Sequence, residues 1–487
     1  MTIRLPSIFA ALALAALAGC HQRHDAGPIE VSVIGPAIGS VRAAPDRGPI
    51  DAPAAALIGA TGQGLVRFDA GGQVVPGLAA RWAVSDNGRS LLFRLPDLPA
   101  PGMAPIAAEA VARRLRAAIA PASRNPLTPL LGAIDDVAAV TPQVIDVELK
   151  SPRPNLLDLF AQPGLAMGDG RTGPLAFAGS HGGVVTLRSL PERDADPDEG
   201  EAALPPPVRL RGEPAARAVA RFVAGRSRLL LGGTFADLAI AQVAALPGGA
   251  LHIDPVKGLF GLAFVDEATG FTADVDNRRA LSMAIDRERI GQALAPPGWA
   301  PSPAIVAHAT PEIAVPAMPA WATMSLADRR GAAAQIVARH PAPPPLRVAM
   351  PAGPGARLLF ALIAADWRAI GIAAVAVGAG DPADLRLVDE VAPADIASFY
   401  LRAFACERRV PCTPVSDQVL IASRLSPTLA ERSVLLTQAD ALITQNTPFI
   451  AFGPPIRWAL VAADLDLYRD SPRGLHPLNE LRSPLKR

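Results

Sequence analysis

The chain has 487 residues, which is enough for about two to four domains. Half of the residues are apolar and 19% are charged, which is typical of a globular protein and excludes a disordered polymer. The 46 basic residues nearly balance the 45 acidic ones, so a broad basic surface for nucleic acid is excluded. Aromatic residues, at 5%, are too few for a base-stacking platform.

The first twenty residues have the pattern of a secretion signal. Arg4 is the only charge before an apolar run over residues 5–18, which is too short for a membrane span of about 20 apolar residues. The run ends in Leu-Ala-Gly-Cys at Cys20, which resembles the lipobox of bacterial lipoproteins. The resemblance implies a signal peptide over residues 1–19 and a lipidated tether over residues 20–28. An ordinary signal peptide with an incidental cysteine is the alternative.

Cys406 and Cys412 are the two other cysteines, with five residues between them. In an oxidising compartment an even pair suggests a local disulfide that closes a loop. Two free thiols and half of a metal site are the alternatives. A metal site needs further ligands nearby, and no histidine lies between His340 and His476. We therefore predict a disulfide and no metal site.

The first half of the chain predicts strands at residues 29–34, 90–95 and 144–150. Pro105 can open a helix in which Val111, Leu115 and Ile119 fall on one face at a spacing of four. Residues 191–207 contain three Asp, three Glu and five Pro, which indicates a surface loop and not core. Because strand-like sequence continues on both sides, this loop is predicted to be an insertion within one lobe.

The second half alternates strands and helices. A strand at residues 346–350, a helix at 357–370 and strands at 372–377 and 385–388 predict a βαβ unit with parallel pairing. Gly371 stands where the helix needs a C-terminal cap. Further on, Ser426 and Pro427 are expected to start a helix that runs to about residue 445. An extended segment follows at 448–452.

Several of these segments, in this order, resemble the extracytoplasmic solute-binding proteins of ABC importers, in the dipeptide, oligopeptide and nickel-binding branch. Residues 64–95 contain Gly-Leu-Val, Asp-x-x-Gly, Val-Pro-Gly-Leu-Ala and a Phe-x-Leu strand in the family's order. Residues 276–290 match its helix with the pattern Arg-x-Ala-x-x-x-Ala-Ile-Asp-Arg, and residues 429–453 resemble its last long helix and Pro-x-Ile strand. The resemblance covers almost the whole mature chain.

The residues of the matching helix at 276–290 favour a structural role. Asp276 is a plausible N-cap, and Leu281, Ala284 and Ile285 form an apolar stripe. The charged side chains of the segment are expected to be exposed or paired: Arg278, Asp286, Arg287 and Arg289.

The resemblance implies an α/β protein of the two-lobed periplasmic-binding type, with the ligand enclosed in a cleft between hinge-linked lobes. Residues 29–255, including a subdomain at about 62–170, are predicted to form lobe I. Residues 446–487 are predicted to complete it. Residues 256–445 are predicted to form lobe II.

The resemblance also places a ligand loop at residues 388–401. In peptide-binding members an Asp of this loop neutralises the amino group of the peptide. Alignment without a gap puts Ala392 at that position, and a shift of two or three residues offers an acidic residue instead. Solvated carboxylates and packed aromatic rings are the alternatives. We expect ligand contacts from Asp389, Glu390, Asp395, Phe399 and Tyr400.

The implied protein is a monomeric, lipid-anchored periplasmic protein that captures a small, peptide-like solute for an ABC permease and its ATPase. It has no catalytic residues, cofactor or nucleic-acid partner, and contacts the membrane through its lipid alone. The identity of the solute stays open, with nickel, a sugar or another solute as alternatives to a peptide. A solute-sensing or accessory lipoprotein of the same fold is the main alternative. An enzyme is disfavoured because the glycines at 59–64 lack the dinucleotide-binding order, and residues 179–182 lack Gly-x-Ser-x-Gly spacing.

Overall fold

A computed structural model describes most of the chain after the predicted signal and tether. The described residues are 27–39, 48–85, 87–98, 105–153, 155–167, 171–190, 205–266, 270–294, 296, 298–341 and 343–481. Cys20, the signal peptide at 1–19 and the acidic, proline-rich residues 191–204 lie outside them. In the described part, no helix is long and apolar enough to cross a membrane.

The strands form two large sheets, a four-stranded sheet and a two-stranded ribbon. Their bounds are β1 (Ile29–Ile34), β2 (Val66–Phe68), β3 (Val74–Pro76), β4 (Arg81–Val84), β5 (Ser90–Arg94), β6 (Ile134–Thr141), β7 (Val144–Leu149), β8 (Leu175–His181), β9 (Val184–Ser189), β10 (Val208–Glu213), β11 (Leu229–Thr234), β12 (Leu251–Ile253), β13 (Gly258–Phe264), β14 (Leu346–Met350), β15 (Ala374–Gly378), β16 (Leu385–Val391), β17 (Phe449–Gly453) and β18 (Arg457–Val461).

The helices lie between and beside these sheets. Their bounds are α1 (Ala52–Thr61), α2 (Ala108–Ile119), α3 (Thr128–Leu131), α4 (Leu156–Phe160), α5 (Ala215–Val223), α6 (Leu238–Gln242), α7 (Val275–Ala284), α8 (Arg287–Leu294), α9 (Leu326–Val337), α10 (Pro354–Arg368), α11 (Ala397–Arg402), α12 (Pro414–Leu425) and α13 (Leu429–Asn446).

Lobe I is built on the seven-stranded sheet, in the order β12-β18-β11-β1-β10-β9-β8. The predicted first strand at 29–34 is its β1, which pairs in parallel with β10 and β11. Strands β9 and β10 are antiparallel neighbours in this sheet, so the residues on both sides of the predicted loop belong to lobe I. The four-stranded sheet β4-β5-β7-β6 forms a subdomain that packs its own core against α2, through Val111 and Leu115.

Lobe II is built on the five-stranded sheet, in the order β15-β14-β16-β13-β17. The predicted βαβ unit is confirmed, because β14 pairs in parallel with β15 across α10. The boundary expected at residue 446 is wrong. Strand β17, at Phe449–Gly453, pairs with β13 of lobe II, and the chain joins the lobe I sheet only at β18. The crossing therefore falls at residues 454–456.

The motif helix at 276–290 is two helices and not one. Helix α7 is capped by Asp274, whose side chain accepts from the Asp276 nitrogen, and it ends at Ile285, where the backbone becomes extended. Helix α8 then starts at Arg287. The break places Asp286 at the junction, where its carboxylate accepts from the Arg289 nitrogen. Asp276, the expected cap, sits in the first turn instead.

Two arginines of this motif are buried, contrary to the expectation that they are exposed or paired. Arg278 and Arg287 are 3% and 5% exposed. Arg278 donates to the carbonyls of Thr272, Ala273 and Asn446, and Arg287 donates to those of Ser282 and Ala451. Because backbone carbonyls satisfy these guanidinium donors, the two side chains connect α7, α8 and β17, and neither forms an ion pair with a carboxylate of the described residues.

The last long helix also begins later than expected. Helix α13 is capped by the Thr428 side chain, which accepts from the Glu431 nitrogen, and not by Ser426. A separate helix, α12, ends just before it, and Ser426 is that helix's C-terminal cap. The two helices pack against each other beside the outer face of the lobe II sheet.

Candidate functional site

The two lobes meet at chain crossings and at direct contacts. The chain passes from β12 to β13 and from β17 to β18. Beside these crossings, Arg457 of β18 donates from Nη1 to Asp389 Oδ1 of β16 at 2.8 Å, and from Nη2 to the Asp389 carbonyl at 3.0 Å. Away from them, the Gly355 nitrogen of α10 donates to the carbonyl of Ala236 in lobe I at 2.9 Å. The candidate site lies between these contacts and the subdomain.

Asp389 and Glu390, the two candidates for the amine contact, point to opposite faces of the lobe II sheet, because successive residues of a strand alternate. Asp389 lies opposite Phe260 and Glu390 lies opposite Leu259 on the neighbouring strand β13. Burial raises the pKa of Asp389, although the Arg457 charge and hydrogen bond oppose the shift. Glu390 is exposed and has no hydrogen bond or ion pair within the described residues. Glu390 is thus the unengaged carboxylate of the two.

Asp395 is held by two cationic or polar groups of lobe II. Its Oδ2 accepts from Lys257 Nζ at 2.9 Å, and its Oδ1 lies 2.8 Å from His308 Nε2. Burial alone would raise the pKa of Asp395, but these two hydrogen bonds outweigh it and lower the pKa to about 2. Its backbone carbonyl accepts from Asn155 Nδ2 of the subdomain at 3.1 Å. Asp395 therefore holds the loop in place at the junction of the two lobes.

Phe399 and Tyr400 are packed side chains. Tyr400 is fully buried in the core on the outer face of the lobe II sheet, with its ring 5.1 Å from Phe399 and 5.7 Å from His308. Burial first, and the Asp395 charge second, raise the pKa of the Tyr400 hydroxyl. Phe399 is half-buried and contacts both this core and the subdomain core. The two rings join the loop to both lobes.

The loop after β16 docks onto the subdomain. Ala394 and Ile396 are 0% and 6% exposed and belong to the subdomain's apolar core. Next to them, Gln162 Nε2 donates to the Pro393 carbonyl at 2.6 Å. The burial of these two side chains brings lobe II into contact with the subdomain. The pattern of the loop sequence did not indicate this contact.

A pocket of about 280 Å³ opens on the lobe I side of this docked loop. Its wall is mostly glycine, alanine and proline from α1 and from residues 161–166 and 474–477. Five polar side chains also line it: Gln63, Arg67, Gln162, His476 and Asn479.

Most of these polar groups are already engaged. Arg67 pairs with Glu480 at 2.7 Å, and His476 Nε2 lies 3.1 Å from Asp254. The Asn479 Oδ1 atom is buried and has no hydrogen-bond partner within the described residues. Gln63 lies next to the Gly-Leu-Val segment that the sequence analysis singled out. The sequence analysis missed Gln162, His476 and Asn479, because they belong to no motif.

The described residues contain no group of three or more His, Cys, Asp or Glu side chains that could hold a metal ion. Cys406 and Cys412 are joined by a disulfide, with their Cα atoms 5.3 Å apart. It closes the short loop after α11, next to Arg408, whose charge acts on Glu390.

No protein-family model matches the chain, and no curated protein matches it. Solved structures do match over almost its full length. The murein tripeptide binding protein MppA of Escherichia coli has a TM-score of 0.77 at 17% identity, covering 93% of this chain and 98% of that one. The unliganded open form of MppA scores only 0.64, at 18% identity and 93% and 97% coverage.

Two further structures show the same likeness. Haemophilus influenzae OppA in complex with RPPGFSPFR has a TM-score of 0.77 at 15% identity, with 93% and 98% coverage. A periplasmic oligopeptide-binding protein, described as an oligopeptide ABC transporter, of Borrelia burgdorferi scores 0.75 at 15% identity, with 93% and 99% coverage. The α/β fold class expected from the sequence is confirmed, and this chain has the two-lobed fold of the periplasmic peptide-binding proteins.

Proposed function

We propose that this chain is a solute-binding protein that captures a small, peptide-like solute between its lobes and delivers it to the permease of an ABC importer. The observation that carries the proposal is the pocket of about 280 Å³, which lies in lobe I between α1, the subdomain and residues 474–479, and whose Gln162 side chain contacts the docked loop of lobe II. Binding pockets for small molecules usually measure roughly 300–1,000 Å³, so this one suits a small solute better than a long peptide.

The chemistry of the pocket supports a peptide-like ligand. Its apolar wall suits small side chains, and the buried Asn479 Oδ1 lacks a donor that an amide or ammonium N–H would supply. Asp389 is engaged by Arg457, and Glu390 projects from the opposite face of the lobe II sheet, so the peptide-like ligand is inferred from the pocket and not from either carboxylate. The fold agrees with this role, because similar structures include a murein tripeptide binding protein and a peptide complex of OppA.

A thermal-shift assay of the chain from His21 onward, freed of copurified ligand, tests the proposal. Mixed di- to pentapeptides come first and nickel second. A ligand at about 100 times its dissociation constant adds about 2.7 kcal/mol to stability, which is a rise of a few degrees. We expect a rise with short peptides that weakens in Asn479→Ala but not in Glu390→Gln, which changes a carboxylate outside the pocket. The matched control is Glu288→Gln, at an exposed position on α8. The absence of a shift with every pool would exclude peptide and nickel capture.

The proposal includes a lipid anchor at Cys20 and a periplasmic location. Its support is the apolar run and the lipobox-like sequence before Cys20. Cells fed a labelled fatty acid should yield labelled protein, and Cys20→Ser should lose both the label and the membrane fraction. An uncleaved amino terminus on protein extracted from cells would exclude this part of the proposal.

A second function, solute sensing or an accessory role without transport, is favoured by one observation. Asp389, one of the two acidic side chains offered for the amine contact, is already paired with Arg457. Pull-down of the intact protein with candidate permeases separates the two functions. Retention of a permease and ATPase supports transport, whereas binding of solute without either supports sensing.

A further inference from the structure

A second, smaller pocket lies where the subdomain meets lobe II, and four arginines line it. We call it the arginine pocket: Arg153, Arg402, Arg424 and Arg432, with Glu312. Arg153 comes from the subdomain, and the other three from α11, α12 and α13 of lobe II. Four arginines and one glutamate give the pocket a net charge of +3, and the pocket lies between the subdomain and lobe II.

One arginine–carboxylate pair is internally satisfied. Arg432 Nε donates to Glu312 Oε1 at 2.6 Å, and both side chains are about 5% exposed or less. Glu312 Oε2 accepts from the Ala397 nitrogen at 2.8 Å, at the start of α11. Both oxygens of Glu312 are therefore occupied, and this carboxylate neutralises only one of the four guanidinium groups.

Among the described residues, Arg153 and Arg424 form no ion pair, and Arg402 forms only a long one. Arg153 donates to the carbonyls of Pro152 and Arg424. Arg402 donates to the Pro129 carbonyl, and its closest carboxylate oxygen, on the exposed Glu407, is 3.7 Å away. Within the described residues, the Arg424 guanidinium forms no hydrogen bond or ion pair. The Nε atoms of Arg402 and Arg424 are both buried without an acceptor.

The charges act on one another. Burial, followed by the Arg432 charge, lowers the pKa of Arg153 to about 10. Burial, followed by the Arg424 charge, lowers the pKa of Arg402 to about 10. With these pKa values, Arg153 and Arg402 still carry their charge at neutral pH. Unpaired, partly buried like charges are costly, so a negative group in this pocket would stabilise the contact between the lobes.

The size of the space limits what can enter. The cavity measures about 40 Å³, and one water needs roughly 10–15 Å³ of such volume. It can hold about three waters or one small oxyanion, and it is too small for a whole peptide. Guanidinium groups suit carboxylate and phosphate oxygens best among small anions, because their planar N–H groups can donate in pairs.

We propose that the arginine pocket binds one small oxyanion, a carboxylate or phosphate group, and that its occupancy favours the closed arrangement of the subdomain and lobe II. The group comes either from a free ion or from an acidic end of the bound solute. Since Arg153 and the other three arginines are on different parts of the molecule, an anion between them binds the closed arrangement in preference to an open one. The free-ion case does not depend on the proposed solute capture, whereas the second case rests on it.

The first arm of the test uses inorganic phosphate. Thermal shifts are measured against sodium chloride at equal ionic strength, so that screening is matched. We expect a saturable rise with phosphate in the unmodified chain and in Arg357→Gln, which changes an exposed arginine of α10. In Arg424→Gln the affinity should fall about tenfold or more. That variant removes no side-chain hydrogen bond to a described residue and should melt at a higher temperature than the unmodified chain when phosphate is absent.

The second arm compares the dipeptides Ala-Glu and Ala-Gln. One outcome is that phosphate has no more effect than chloride while Ala-Glu raises the melting temperature more than Ala-Gln. If this difference disappears in Arg424→Gln, the site binds an acidic group of the solute. Arg153→Gln repeats both arms from the subdomain side. The proposal is overturned if neither phosphate nor Ala-Glu has an effect that depends on Arg424 or Arg153. Peptide binding that is insensitive to both arginines would leave the proposed function intact and overturn the anion site alone.

Discussion

Asp389 and Arg457 connect the two sheets at the point where the chain crosses between them. The Arg457 guanidinium donates to both the carboxylate and the carbonyl of Asp389, at 2.8 and 3.0 Å, and the two side chains are 15% and 18% exposed. Asp389 was expected to contact solute. Its position beside β18, which could not be inferred from the loop sequence, gives it a structural partner instead.

Removing the cation of this pair should destabilise the protein in a pH-dependent manner. Arg457→Gln leaves a buried carboxylate without its partner, which should cost about 2 kcal/mol at pH 8. The pKa of Asp389 is already raised by burial, and losing Arg457 raises it further. The folded variant then binds a proton that the unfolded chain does not, so stability recovers as the pH falls from 8 to 5. Urea unfolding at both pH values checks this, with Arg357→Gln as control. An equal loss at both pH values would contradict it.

A second pH effect involves Asp440 on α13. This carboxylate is 1% exposed, and burial raises its pKa to about 6, although the Ala317 nitrogen donates to Oδ2. The native state still holds this proton at pH values where the unfolded chain, with a pKa of about 4, has lost it. The stability that this proton provides is therefore lost as the pH rises through 6. Asp440→Asn removes this cost, on the order of 3 kcal/mol above pH 7.

The new amide brings a smaller cost of its own. Asp440 Oδ1 has no partner within the described residues, so a buried amide N–H there costs about 1–2 kcal/mol. We expect a net gain of about 1 kcal/mol at pH 8 and a net loss at pH 4, measured by denaturant unfolding. Asp466→Asn, at an exposed position, should change stability little at either pH. A gain that persists at pH 4 would show that the carboxylate charge is not its cause.

Arg287 should not tolerate lysine. Its guanidinium donates to the Ala451 carbonyl at 2.7 Å and to the Ser282 carbonyl and hydroxyl at 3.0 and 3.1 Å. A single ammonium cannot reach these acceptors in the same geometry, so Arg287→Lys should cost about 3 kcal/mol in unfolding free energy. Arg339→Lys, at an exposed position, should be within about 0.5 kcal/mol of the unmodified chain. Similar values for the two variants would contradict the role of Arg287.

Gly355 allows the close approach of α10 to lobe I. A Cβ atom at this position would lie 2.0 Å from the Phe235 carbonyl oxygen, so Gly355→Ala should separate the two backbones and destabilise the chain by about 2 kcal/mol. Gly331 lies inside α9 with no atom within 4 Å of its added Cβ, so Gly331→Ala should stabilise by roughly 0.4–1 kcal/mol. Unfolding curves give both values, and X-ray scattering should show a larger radius for Gly355→Ala alone.

Much of the secondary structure could be predicted from local patterns. Strands β1 and β14 have the expected bounds, and the βαβ unit around α10 has its expected parallel pairing. Boundaries failed where side chains from elsewhere decide them. Helices α7 and α8 separate at Ile285, and the Asp286 nitrogen there is bound by Asp366, 80 positions along the chain. A local pattern of apolar residues carries no information on such a contact.

The candidate site was predictable only in part. The loop at 388–401 that the resemblance indicates contains Asp395, which lies where lobe II meets the subdomain. The sequence could not indicate that Ala394 and Ile396 would be buried in the subdomain core, or that Tyr400 would be fully enclosed. Short apolar side chains in a loop have the same pattern whether they pack or stay in solvent, because burial depends on what another segment places over them.

The sequence by itself determined most of the order of strands and helices, since period, caps and turn residues act over a few positions, and its resemblance to a known family indicated the fold class. Only the tertiary structure decided which charges are free. Asp389 is engaged by Arg457, 68 positions away, whereas Arg424 has no partner for its charge among the described residues. Pairing between charges depends on distances in space, and those distances are set when the two sheets and the subdomain pack together.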